Sequence, residues 1–111
     1  MEESEVIRSL AALAQGHRLQ AFRALVVAGR QGRTPGVLAA DLGLPAATLS
    51  FHLKELVNAG LATQERQGRH LIYRAGFDRI DELLAYLTTN CCQGQPCLDA
   101  VAAPVRRGSR P

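Results

Sequence analysis

The 111 residues suit one compact domain, since 47% are hydrophobic and 21% charged, a balance that argues against wholesale disorder. The net charge is +3, the start MEESEV is acidic where a secretory leader is basic and then apolar, and the chain holds three cysteines, an odd number. With no run near the roughly 18 apolar residues of a membrane span, these features argue against a membrane protein and a disulfide-stapled secreted domain. The expectation is a cytoplasmic protein with no membrane partner and reduced thiols.

Charge is unevenly placed. Residues 17–74 hold seven arginines and Lys54 against Asp41, Glu55 and Glu65, a net of +5, whereas residues 75–105 set Arg79 against Asp78, Asp81, Glu82 and Asp99, a net of −3. A basic middle beside an acidic end points to a face for a polyanion and a separate segment for another task. Charge by itself fits a solvated mixed surface equally well.

In chain order, Val6, Ile7, Leu10, Leu13 and Ala14 recur at helical spacing after Ser4, so a first helix is expected over residues 4–14 with Ser4 as its cap. Leu19, Phe22, Leu25 and Val26 predict a second, closed by Gly29 through Gly32. Thr34 as cap and Pro35 at the first helical position start a short helix through Leu42 that Gly43 ends. Pro45 opens another, with Leu49, Leu53 and Leu56 on one face and Ala59-Gly60 at its end. Two short helices around a tight glycine turn form a helix-turn-helix. Leu61, Thr63 and Glu65, then Leu71, Tyr73 and Ala75, alternate on either side of Gly68-Arg69 and predict a β-hairpin. From Phe77 the helical period returns through Ile80, Leu83, Leu84 and Leu87 and stops near Asn90.

The order predicts a mainly α chain with one two-stranded β-hairpin: a winged helix-turn-helix. Residues 1–90 are expected to form the DNA-binding and dimerisation domain, residues 91–97 a thiol segment and residues 98–111 a flexible tail. With the leucines of the second motif helix inward, the opposite arc presents Ala47, Thr48, Phe51 and Lys54, with Ser50 at its edge. Small and hydroxyl side chains permit close approach to base edges, and Lys54 supplies phosphate charge. Phe51 fits either a thymine methyl or packing against a neighbouring helix. Arg66 and Arg69 flank the wing turn, as DNA-backbone or minor-groove contacts or as ordinary hairpin charges. His52 lies near the boundary of the apolar face and, like His17 and His70, fits a structural role better than a ligand. The apolar residues of the first and last helices, Val6, Leu10, Leu13, Ile80, Leu83, Leu84 and Leu87, serve as core or as a two-fold homodimer interface.

Cys91, Cys92 and Cys97 stand in NCCQGQPC, among polar residues, glycine and proline that disfavour burial. Adjacent cysteines within a helix point about 100° apart, so the helix must loosen or end before them if both are to grip one ion. Gly94 and Pro96 then allow a loop that returns Cys97 to the pair. Three soft thiolates without a fourth ligand disfavour structural zinc and suit trivalent arsenic or antimony; cadmium, lead, and zinc completed by water stay open.

The segments LAQGHRLQAFRAL, LSFHLKELVNAGL and QGRHLIYR together resemble the ArsR/SmtB family of metal- and metalloid-responsive repressors over about residues 5–97. The resemblance implies a homodimer, joined through its first and last helices, that leaves operator double-stranded DNA when an inducer binds. It places Thr48, Ser50, Phe51, His52 and Lys54 at recognition-helix positions and Arg69 at the wing tip. Two inducer sites known in relatives are missing: the helix VLAADLG carries no Cys-x-Cys, and no histidine follows His70. The remaining pattern resembles arsenical repressors with a Cys-Cys pair and a third cysteine after the last helix, so As(III) or Sb(III) is the expected inducer, bound by Cys91, Cys92 and Cys97, with no permanent cofactor. A thiol redox sensor of the same fold is the alternative. A thiol-dependent arsenate reductase is disfavoured because no anion loop accompanies the cysteines, and an enzyme is not expected; a metal-buffering or scaffold protein with a vestigial winged helix is a further rival.

Overall fold

The computed structural model describes residues 1–94. Cys97 and the expected tail over residues 98–111 lie outside the described residues. Five helices and one hairpin follow in order: α1 (Glu3–Leu13), α2 (Gly16–Ala28), a 3-10 turn (Gly29–Gln31), α3 (Pro35–Leu42), α4 (Ala46–Asn58), β1 (Ala62–Gln67), β2 (His70–Ala75) and α5 (Phe77–Thr88).

The termini of these elements follow from side chains able to satisfy helix-end amides and carbonyls. In α1 the cap is not Ser4 but Glu2: Glu5 Oε1 accepts from the Glu2 amide at 3.1 Å, and the Glu2 side chain accepts in return, a reciprocal capping box one half-turn earlier than expected. Gln15 Oε1 accepts from the Arg18 amide at 2.8 Å and starts α2. Thr34 Oγ1 accepts from the Val37 amide with Pro35 in the first turn of α3, and Gly43 ends that helix at φ 66°, in the left-handed region. The chain bends by 114° between α3 and α4, within the range of a helix-turn-helix.

Leu25, Leu38, Leu49, Leu53, Leu56 and Leu61 are fully buried, so α2, α3, α4 and the strand after α4 share one core. Burying such side chains contributes about 1.5–3 kcal/mol each, before chain entropy opposes it. Ala62, Tyr73 and Ala75 close the core at the base of the hairpin, which pairs antiparallel from Ala62 opposite Ala75 to Gln67 opposite His70. The alternation expected in the first strand does not hold: beyond Ala62, every residue of β1 through Gln67 is exposed, because the hairpin projects past the helices that would cover it. In β2 the alternation holds, with Tyr73 and Ala75 buried.

A feature invisible in the sequence is a bridge between the α2–α3 connection and the wing. Arg33 and Tyr73 exchange backbone hydrogen bonds of 2.9 and 2.8 Å, and Arg74 Nε donates to the Arg30 carbonyl at 2.6 Å. Gly32 permits this approach: it takes φ 70°, and a Cβ there would lie 2.6 Å from the Tyr73 carbonyl oxygen. Gly32→Ala is therefore expected to destabilise the fold by about 1–3 kcal/mol in urea melts. Gly36→Ala, in α3 with open space around it, is expected to add about 0.4–1 kcal/mol. Equal effects would contradict the bridge. Among the described residues, no single helix is long and apolar enough to cross a membrane.

Candidate nucleic-acid interface and cysteine pair

Leu49, His52, Leu53 and Leu56 repeat at i, i+3, i+4 and i+7 and form the buried face of α4. Opposite them Ala47, Ser50, Phe51 and Lys54 are exposed, and Thr48 is half-buried. The structure thus gathers five of the six expected helix residues on one outward arc. His52 is the exception. It is 6% exposed and turned toward α2, so it does not share the arc on which the resemblance set it. Its neighbours account for this: Arg18 Nε donates to His52 Nδ1 at 3.5 Å, the His17 ring meets it edge-on at 5.9 Å, and the Phe51 ring packs beside it at 5.5 Å. Burial first, then the charges of Arg18 and His17, hold the His52 imidazole below its ordinary value of 6.5, so the neutral ring is the form this packing selects.

Phe51 is 54% exposed even though it touches His52 and lies under the Arg18 guanidinium, whose Cζ is 5.9 Å from the ring centroid. Its packing and its outward exposure coexist. On the wing Arg66 and Arg69 are exposed. Arg74, counted among the basic residues of the middle segment, is spent internally on Glu65 at 2.7 Å. That hydrogen bond, helped by Gln67, holds the Glu65 carboxyl below the usual carboxylate range.

Sequence reasoning gave Arg18 no task, because its partners lie at Ala12 and 34 positions away at His52, a pairing without local signal. In the sequence Arg79 likewise stands out only as one charge in an acidic segment. Its Nη1 donates to the Ala59 carbonyl at the end of α4 at 3.3 Å and its Nε faces Glu82 at 3.6 Å, so α5 grips the end of the outward-facing helix.

Helix α5 ends at Thr88, before the cysteines. Asn90, Cys92 and Gln93 then take φ of 61°, 56° and 57°, a left-handed run that turns the chain sharply. The 100° divergence of two helical cysteines therefore does not apply: Cys91 Sγ and Cys92 Sγ come within 3.1 Å, and both residues are exposed. Among the described residues no three metal-ligating side chains converge; the third cysteine of the expected set lies outside them.

A bent helix pair with one outward arc of small, hydroxyl, aromatic and basic side chains, followed by a protruding basic hairpin, defines a winged helix-turn-helix DNA-binding protein. Residues 13–65 match the model of a helix-turn-helix domain family. The chain is similar to the homodimeric winged helix-turn-helix DNA-binding domain of a possible ArsR-family transcriptional regulator from Mycobacterium bovis, at 31% identity and a TM-score of 0.63 over 77% of this chain and 76% of that one. It is also similar to an ArsR-like transcriptional regulator from a Rhodococcus species (26% identity, TM-score 0.69, 76% of each chain) and to HlyU from Vibrio cholerae (25%, 0.65, 84% of this chain and 100% of that one). Among curated proteins none matches the chain. The chain belongs to the ArsR-type winged helix-turn-helix transcriptional regulators.

Proposed function

We propose that this regulator is a cytoplasmic repressor that holds a two-fold operator as a homodimer and leaves it when As(III) or Sb(III) closes on the thiolates of Cys91, Cys92 and Cys97. The observation that supports the inducer reading is that exposed Cys91 and Cys92 stand together just beyond α5, with Cys97 five residues further along the sequence.

On DNA, α4 enters the major groove with Ala47, Thr48 and Ser50 near base edges or phosphates, Phe51 toward a thymine methyl and Lys54 on the backbone. Arg66 and Arg69 follow the backbone or the minor groove from the wing. Inducer capture reshapes the end of α5. That helix carries outward apolar residues for pairing two subunits and, through Arg79, holds the Ala59 carbonyl at the end of α4. A coupling of about 1–3 kcal/mol weakens operator binding about 5- to 150-fold.

The test is release of labelled promoter DNA followed by anisotropy, with a non-thiol reductant present. Stoichiometric arsenite or antimonite is expected to free the DNA, zinc is not, and Cys91→Ser or Cys97→Ser is expected to keep wild-type DNA affinity while blunting release. Full release from Cys97→Ser would remove that residue from the site. Cys92 is disulfide-bonded in this structure, which favours a second reading, in which peroxide oxidises the Cys92 thiol and another cysteine thiol to a disulfide and is reduced to two waters. Release by peroxide but not by arsenite would select it.

A further inference from the structure

Arg18 stands at a junction that the DNA-reading arc does not by itself explain. Its Nη1 donates to the Ala12 carbonyl at 3.4 Å, its Nε to His52 Nδ1 at 3.5 Å, and its guanidinium lies over the Phe51 ring. Ala12 lies in the last turn of α1, where carbonyls lack helical partners, and that turn has no basic residue of its own. His52 and Phe51 are consecutive in α4, one facing inward and the other outward. A planar fork of donors can span acceptors on two helices while its face stacks on a ring, which a lysine ammonium cannot do.

We propose that Arg18 is a positioning residue for DNA recognition, a brace that ties the end of α1 to the reading helix and fixes Phe51 on its outward arc, and that it works only while His52 offers a lone pair at Nδ1. The inference rests on the reading that this arc enters the major groove. Guanidinium has no acceptor and does not deprotonate, so protonating His52 replaces a hydrogen bond with two facing cations. Arg18 and His17, both from α2, are the charged or titratable groups acting on His52. Because the folded state holds the His52 pKa below its ordinary value, the brace is intact at neutral pH and is lost only as pH falls through that lowered value.

This sign is diagnostic. Adding positive charge to a DNA-binding protein ordinarily tightens binding, whereas loss of the brace weakens it.

The probe is a fluorescent duplex selected by the wild-type protein from a randomised pool, titrated by anisotropy between about pH 7.5 and pH 5.5. Wild type is expected to weaken at least about threefold on acidification. Arg18→Gln is expected to bind about tenfold more weakly than wild type at pH 7.5, with little further change on acidification, and Arg18→Lys is expected to restore only part of the loss. His52→Asn, which keeps an acceptor near Nδ1 without titrating, is expected to lose the pH dependence, read as the ratio of its affinities at about pH 7.5 and pH 5.5. It serves if Arg18→Gln does not fold. Wild-type affinity in Arg18→Gln, tighter binding by wild type at low pH, or an unchanged pH profile in His52→Asn would each overturn the brace. Phe51→Ala separates the two layers: normal binding by that variant sinks the reading of the arc and the brace with it, while weak binding beside a normal Arg18→Gln sinks the brace alone.

Discussion

Replacing Leu84 and Leu87 together by glutamate is expected to leave each subunit folded, to convert the protein to a monomer in light scattering, and to weaken binding to a two-half-site duplex about 100-fold or more. Leu84 is 54% and Leu87 55% exposed on α5, one turn apart, and Ile7 and Leu10 are exposed one turn apart on α1, which touches α5. Isolated apolar residues at a surface are ordinary, but two such pairs on adjoining helices form a patch that calls for a partner. The inward positions of the same helices, Val6 and Leu83, are buried, so the outward leucines can change without opening the core. Surface substitutions of this kind cost each subunit about 0.5 kcal/mol or less. The loss on DNA is larger because two linked reading helices gain about 10²–10⁴ in avidity over one. A double variant that stays dimeric would place the interface elsewhere; one that becomes monomeric yet keeps full affinity would contradict two-half-site reading.

Leu56→Ala is expected to lower unfolding free energy by about 2–5 kcal/mol in urea melts followed by circular dichroism. Leu56 is fully buried on the inward face of α4. Its truncation removes apolar contact and leaves a cavity that neighbours on α2 and β1 fill only in part. A domain of this size holds about 5–15 kcal/mol in all, so the variant is expected to approach unfolding at 37 °C and to lose DNA binding with its fold. Lys54→Ala, on the outward face of the same helix, is expected to change stability by no more than about 0.5 kcal/mol while weakening DNA binding. A loss below about 1 kcal/mol for Leu56→Ala would contradict the shared core of α2, α3 and α4.

Local chemistry made much of this architecture legible. Thr34, Pro35 and Gly43 mark the ends of α3 because a hydroxyl cap, a ring that needs no amide and a left-handed glycine each act within a few residues. The leucines of α4 display the helical period directly, and i+3 from Leu49 places His52 on the inward side, a placement that a family pattern obscured. The gathering of Ala47, Ser50, Phe51 and Lys54 on one arc follows from helix geometry and needed no tertiary information. Ser4 does not cap α1, because Glu2 and Glu5 offer a reciprocal pair, which satisfies two amides where one hydroxyl satisfies one.

What the sequence by itself determined is therefore the set of elements, their order, the amphipathic faces and the thiol-bearing segment after the last helix, all encoded within one or two turns of chain. Only the tertiary structure decided which apolar residues are spent on the core and which remain outward, since Val6 and Ile7, or Leu83 and Leu84, are equivalent until neighbouring helices take their places. It also decided that Arg74 serves Glu65 and the Arg30 carbonyl, that Arg33 pairs with Tyr73, and that Arg18 reaches His52. The left-handed turn that brings Cys91 and Cys92 together belongs to the same group. These contacts depend on the meeting of surfaces far apart in the chain or on backbone angles that composition does not specify, and no local pattern records either.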